Sequence, residues 1–187
     1  MEKTPRDKNW SFVISSLAFA LLILAALNVL KPVIAPDARE PELRALQREI
    51  IYVKAGELPA RLKSAQGRNS FLFVYASWCG ICRQVMPQLI AHMREGNLDA
   101  YNIIMLSVDS KPRDFAAYMV RTGYRGFYTP YVLDQSPFNP LKDTLRKLGS
   151  SYDNEIPYAA TFDSQGRLID EMGGISIREW LVSGFNN

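Results

Sequence analysis

The chain has 187 residues, enough for one domain of ordinary size plus an appendage. Hydrophobic residues make up 48% and charged residues 22%, a balance that excludes a wholly disordered chain and a multi-span membrane protein. The net charge of +3 is too mild for a nucleic-acid binder. Two cysteines and one histidine cannot build a disulfide-stapled scaffold, nor a four-ligand zinc site within one chain.

No charged residue occurs between Asn9 and Leu30, and Phe12 to Leu30 is rich in Leu, Ala, Ile and Val. About 20 apolar residues in a helix span a hydrocarbon core. The stretch therefore predicts a membrane anchor over residues 11–30, inserted in a lipid bilayer, with Trp10 at the interface. Lys3, Arg6 and Lys8 precede it, whereas only Lys31 directly follows. The positive-inside rule keeps residues 1–10 in the cytoplasm and exports everything beyond Leu30. A cleaved signal peptide, cut after Ala35 or Ala38, is the alternative. Its core would normally run about 7–15 residues, and this one is longer and closed by a lysine.

Residues 31–49 read as a linker and stalk: 31–40, with Pro32 and Pro36, is the linker, and from Pro41 the spacing of Leu43, Leu46 and, just beyond, Ile50 predicts a short, solvated stalk helix. The apolar run Ile50 to Val53, a helical piece from Leu58 to Ala65 and a turn at Gly67 follow. Phe71-Leu72-Phe73-Val74-Tyr75 is continuously apolar and bounded by turn residues, as a strand buried on both faces should be. A helix running through Met93, a second buried strand (Asn102 to Val108), a helix over 112–122 and a strand from Pro130 to Leu133 come next. Leu141, Leu145 and Leu148 mark another helix, stopped by Gly149. Tyr158 to Phe162 and Arg167 to Met172 flank Asp163-Ser164-Gln165-Gly166 as a hairpin. A last helix, with Ser176 and Glu179 at capping-box spacing, closes the chain. Alternating strands and helices predict an α/β domain over residues 50–187, with an antiparallel hairpin at its end.

The chemistry centres on Cys79 and Cys82, two residues apart where a buried strand meets the start of a helix. First-turn N–H groups and the positive end of the helix stabilise a thiolate at Cys79, and a neighbouring thiol hydrogen-bonds to it. Cys79 is thus the expected nucleophile. Cys82, one turn in and more buried, is the expected resolving thiol, and the two can form a redox-active disulfide that passes two electrons to or from a client. As half a zinc site the pair lacks partners, because His92 lies nearly three helical turns beyond Cys82. As a staple it closes too short a loop to gain much. Neither a cofactor nor a resident metal is expected.

Trp78-Cys79-Gly80-Ile81-Cys82 resembles the active-site motif of the thioredoxin fold, a central mixed sheet flanked by helices, and the resemblance covers roughly residues 50–187. Pro87 matches the proline of that family's active-site helix. Ile156-Pro157, with the following strand, hairpin and Gly173-Gly174, resembles its cis-proline segment. The resemblance implies that Pro157 is cis and that Trp78, Gly80, Ile81, Ile156 and Pro157 form the docking surface for a client. Pro130 is the rival for the cis position. Room for an added helix–strand unit at about 112–134, together with the anchor, is similar to membrane-tethered oxidoreductases of the TlpA/ResA type. That likeness implies a dithiol reductant of exported client proteins with Cys pairs, as in cytochrome c or copper-site maturation. It also implies catalysis on the periplasmic or outer side of a bacterial inner membrane and a membrane redox partner that exchanges electrons with Cys79 and Cys82. The chain departs from thioredoxin at Phe73, where that family has a buried Asp for proton transfer; Asp109, Asp134 and Glu155 are the substitute candidates. The alternative is a periplasmic copper-binding protein using the same two thiols, which suit Cu(I). A peroxidase of the peroxiredoxin kind fits less well, because its reactive Cys normally lies in a Thr- and Pro-containing loop.

Overall fold

The computed structural model describes residues 15, 19–25, 39–63, 67–134 and 141–183. Two compact units divide the chain, Met1–Pro41 and Glu42–Asn187. In the first, residues 19–25 are helical, with Phe19, Leu21, Leu22, Ile23 and Leu24 exposed. No helix among the described residues is long and apolar enough to cross a membrane. Most of the predicted anchor, the segment before it and residues 31–38 lie outside the described residues.

The second unit holds a six-stranded mixed sheet made of β1 (Ile51–Val53), β2 (Asn69–Tyr75), β3 (Tyr101–Ser107), β4 (Tyr131–Leu133), β5 (Tyr158–Phe162) and β6 (Leu168–Gly173). Their order is β1-β4-β3-β2-β5-β6. The first four run parallel, while β5 and β6 are antiparallel to their neighbours. Among the described residues six α-helices accompany the sheet: α1 (Glu40–Glu49), of which the residues from Glu42 on belong to this unit, α2 (Leu58–Lys63), α3 (Gly80–Arg94), α4 (Pro112–Thr122), α5 (Leu141–Lys147) and α6 (Ile177–Ser183).

Strand β2 lies at the centre, paired with β3 along its whole length and with β5 on its other side. Successive side chains of a strand point to opposite faces, and the split is sharp here. Phe71, Phe73 and Tyr75 join Leu43 and Leu46 of α1, Val85 and Leu89 of α3, Phe115 and Met119 of α4, and Ile177 and Leu181 of α6. Leu72 and Val74 join Leu58 and Leu62 of α2 with Leu141 and Leu145 of α5. Helices therefore cover both faces, which is why β2 is continuously apolar in sequence. The expected helix–strand addition is present as α4 and β4, and β4 enters the sheet between β1 and β3.

One expectation is corrected. Helix α1 forms where the spacing predicts it, but it is not a solvated stalk. Leu46 is 1% exposed and Leu43 and Ile50 are buried with it, so the compact unit begins at Glu42 rather than at residue 50. Three apolar residues at helical spacing suffice to seat one face on a core. Glu49, at the end of α1, is also ion-paired with Arg125 beyond α4.

Candidate active site: the Cys79–Cys82 pair

Strand β2 delivers the chain to the site. After Tyr75 a turn closes through the Cys79 N–H donating to the Ala76 carbonyl at 3.2 Å, and α3 begins at Gly80. Cys79 is the N-cap of α3. Its backbone is extended (φ −73°, ψ 118°), and its Sγ accepts the Cys82 N–H at 3.1 Å. The sulfur thus occupies the place a Ser or Asp oxygen takes at other helix starts. Cys79 and Cys82 are joined as a disulfide, with Cα atoms 5.2 Å apart. Cys79 is 7% exposed and Cys82 fully buried, in the order the sequence anticipates. Pro87 lies inside α3, one turn beyond Cys82.

The other wall comes from the start of β5. Ile156–Pro157 is a cis peptide bond, the only one among the described residues, so Pro130 does not take that role. The Ile156 carbonyl oxygen lies 3.8 Å from Cys79 Sγ. Trp78, at 64% exposure, and Ile81, at 37%, stand at the surface beside the disulfide. Gly80 is exposed too, Ile156 half-buried and Pro157 buried. The structure therefore brings together the seven residues that the motif singles out.

The three candidate carboxylates are placed very differently. Asp109, just beyond β3, is 2% exposed and accepts hydrogen bonds from the Ser77 N–H (2.8 Å), Ser77 Oγ (2.6 Å) and Ser107 Oγ (2.6 Å). Asp134 is half-buried at the end of β4, where its N–H donates to the Val53 carbonyl. Glu155 is exposed and leans over Gly173 and Gly174. Phe73 is fully buried, its ring 6.5 Å from that of Phe71 and 5.8 Å from that of Tyr75. Tyr75 shares a 2.9 Å hydrogen bond with Tyr128. Burial, reinforced by Tyr128, holds its phenol well above the ordinary range, so it stays protonated. His92 is half-buried near the other end of α3, with Nδ1 3.0 Å from Asn97 Nδ2. Among the described residues no group of three or more His, Cys, Asp or Glu is placed to hold a metal ion.

A second polar network lies behind the cis-proline loop and goes unforeseen in the sequence. Glu171 of β6 accepts from Ser150 Oγ (2.7 Å), the Ser151 N–H (2.8 Å) and the Tyr158 hydroxyl (2.7 Å). Partial burial alone would raise its carboxyl, but these donors outweigh that and hold it below the usual carboxylate range. The signal lay only in Glu171 falling opposite Ala160 in the hairpin register, which carries it toward Tyr158.

A dithiol–disulfide pair capping a helix, facing a cis-proline at the centre of a mixed α/β sheet, defines a thioredoxin-like thiol–disulfide oxidoreductase. The chain belongs to the AhpC/TSA family, whose sequence profile matches residues 51–176. No curated protein sequence is significantly similar to it. Among solved structures, a thioredoxin-like protein in its oxidised form is similar at 18% identity with a TM-score of 0.52, over 67% of this chain and 80% of that one. A thioredoxin-family thiol:disulfide interchange protein from Chlorobium tepidum is similar at 17% identity and TM-score 0.48, over 68% and 84%. The exposed lipoprotein thioredoxin of Streptococcus pneumoniae is similar at 20% identity and TM-score 0.47, over 66% and 87%. At these identities the first likeness speaks to the fold.

Proposed function

We propose that this protein is a dithiol reductant of exported client proteins, held at a bacterial cytoplasmic membrane by residues 11–30. The observation that carries the reading is Cys79 at the N-cap of α3, accepting the Cys82 N–H and facing the Ile156 carbonyl. In the reduced protein the helix start favours a thiolate at Cys79. That thiolate attacks one sulfur of a client disulfide, and the second client sulfur leaves as a thiolate and takes a proton. Cys82 then loses its proton and attacks Cys79 Sγ. The mixed disulfide breaks, the client leaves as a dithiol, and the Cys79–Cys82 disulfide remains, two electrons having passed to the client. A membrane-borne dithiol donor restores the pair.

Docking uses Trp78, Gly80, Ile81, Ile156 and Pro157. The exposed rings and aliphatic chains cover apolar parts of an extended client, and the backbone at Ile156 pairs with it. The amino-terminal charge bias and the apolar stretch support the membrane placement.

Replacing Cys82 with Ser blocks resolution, so clients should accumulate in cells on Cys79 as thiol-reversible adducts, and Cys79→Ser should abolish them. Absence of adducts in C82S would refute the reading. The direction follows from the reduction potential against glutathione: below about −250 mV supports a reductant, whereas a value near −120 mV would make the protein an oxidant.

A further inference from the structure

We propose that Asp109 is a positioning residue for Cys79: it anchors the turn that carries the nucleophile, through Ser77. The inference rests on the reading of Cys79 as the attacking thiol. Between Tyr75 and α3 the ends of the turn are held by the buried Ala76 and by Cys79, which is bonded to Cys82, and its middle is held through Ser77. Trp78 and Gly80 are exposed, and the turn's own backbone closure is the single 3.2 Å bond from Cys79 to Ala76. Ser77, by contrast, is buried, and both its donors end on one carboxylate from the neighbouring strand's end.

The anchor point is itself fixed. Asp109 receives Ser107 Oγ at 2.6 Å and returns its own N–H to the same hydroxyl at 3.1 Å. The intervening Val108 donates its N–H to the Tyr75 carbonyl at 2.8 Å. The end of β3 and the end of β2 are thereby laced together on both sides of the turn. Cys79 Sγ must meet two positions at once, the Cys82 N–H and the space beside the Ile156 carbonyl. A turn free to shift loses the cap first, because hydrogen bonds weaken steeply with misalignment. Loss of the cap lowers the thiolate fraction of reduced Cys79 and so its rate of attack.

Asparagine distinguishes placement from charge. Its carbonyl oxygen can take the Oδ2 position, which receives two donors, and its amide can face Ser77 Oγ, which then turns to accept. D109N therefore keeps the anchor, whereas D109A removes it. Any negative charge lost from this position favours a nearby thiolate, so slower attack in D109A would run against simple electrostatics and report placement.

The test measures alkylation of Cys79 by iodoacetamide at pH 7 in full-length reduced protein carrying C82S, so that one thiol reacts. D109A should slow the reaction about tenfold, the weight of one buried hydrogen bond network lost. S77A should slow it by a few-fold, and D109N should stay within about twofold of the parent. Parent-like rates in D109A, or D109N as slow as D109A, would overturn the proposal. If far-UV circular dichroism shows D109A unfolded, S77A decides, and a parent rate there overturns it. Failure of the functional reading looks different: the C82S parent would form no mixed disulfide with glutathione disulfide, while the ranking of the variants would still be measured.

Discussion

Replacing Leu46 with Ala removes a side chain that is 1% exposed at the middle of α1, where it packs with Leu43 and Ile50 on the face of the sheet that also holds Phe71, Phe73 and α3. Truncating a buried Leu costs about 2–5 kcal/mol, the transfer of the lost carbons plus the cavity left behind. A helix at the start of the compact unit relaxes more easily than the sheet's centre, which places the expected loss near 3 kcal/mol. For a domain of this size that lowers the thermal midpoint by about 6–12 °C. Urea unfolding followed by circular dichroism reads the difference, with the slope unchanged if the denatured state is the same. Arg48→Ala, on the exposed side of the same helix, should stay within about 0.5 kcal/mol. A loss below 0.5 kcal/mol in L46A would refute the packing of α1 and return the segment to a solvated stalk.

Glu171 has its pKa lowered in the folded state, partial burial being outweighed by donors from Ser150, Ser151 and Tyr158. Such a group contributes stability above its unfolded value near 4.5 that is lost as pH falls through the lower folded value. Because the carboxylate is only partly buried, Glu171→Gln should cost at most about 1 kcal/mol at pH 7, and the gap to the parent should close as pH falls below the ordinary carboxylate range; a gap independent of pH would contradict the assignment. Gly174 has φ +61°, donates its N–H to the Pro157 carbonyl, and leaves no room for a Cβ beside the Glu155 carboxylate. Gly174→Ala should therefore cost about 1–2 kcal/mol for the left-handed backbone, and Glu155→Ala should not recover it, since an exposed carboxylate can move aside; full recovery in the double variant, read by urea unfolding, would locate the strain in the clash instead. Trp180→Phe keeps the stacking on Phe71 but loses the 2.7 Å bond from Nε1 to Asp170, and should cost about 1 kcal/mol in a thermal melt followed by circular dichroism; an unchanged midpoint would mean that water replaces the bond without loss.

What could be read from the sequence was local. Phe71 to Tyr75 announces a doubly covered strand because both faces of β2 meet helices, and the cysteine pair announces a helix start because two residues separate the sulfurs. The turn Asp163 to Gly166 carries its own chemistry, with Asp163 accepting from the backbone of Gln165 and Arg167. Helix α1 was half legible. Its spacing gives the helix, but nothing within ten residues tells whether an apolar face finds a core or stays wet. That depends on the sheet that α3, α4 and α6 leave open for it.

The position of the carboxylates shows the same limit at the site. Six residues before Cys79 stands Phe73, which stacks on Phe71 and meets the tilted ring of Tyr75 on a helix-covered face, where an ionised group would be buried among rings. A carboxylate reaches the turn from the next strand instead. Tyr75 pairs with Ser107 in the parallel register, so Asp109, two residues on, projects past the end of β3 to the level of Ser77, 32 residues earlier in the chain. Shift that register by one residue and Val108, not Asp109, would face the turn. The site's polar anchor is therefore a property of strand pairing, and only the pairing reveals that Asp109, rather than Asp134 or Glu155, holds the turn before Cys79.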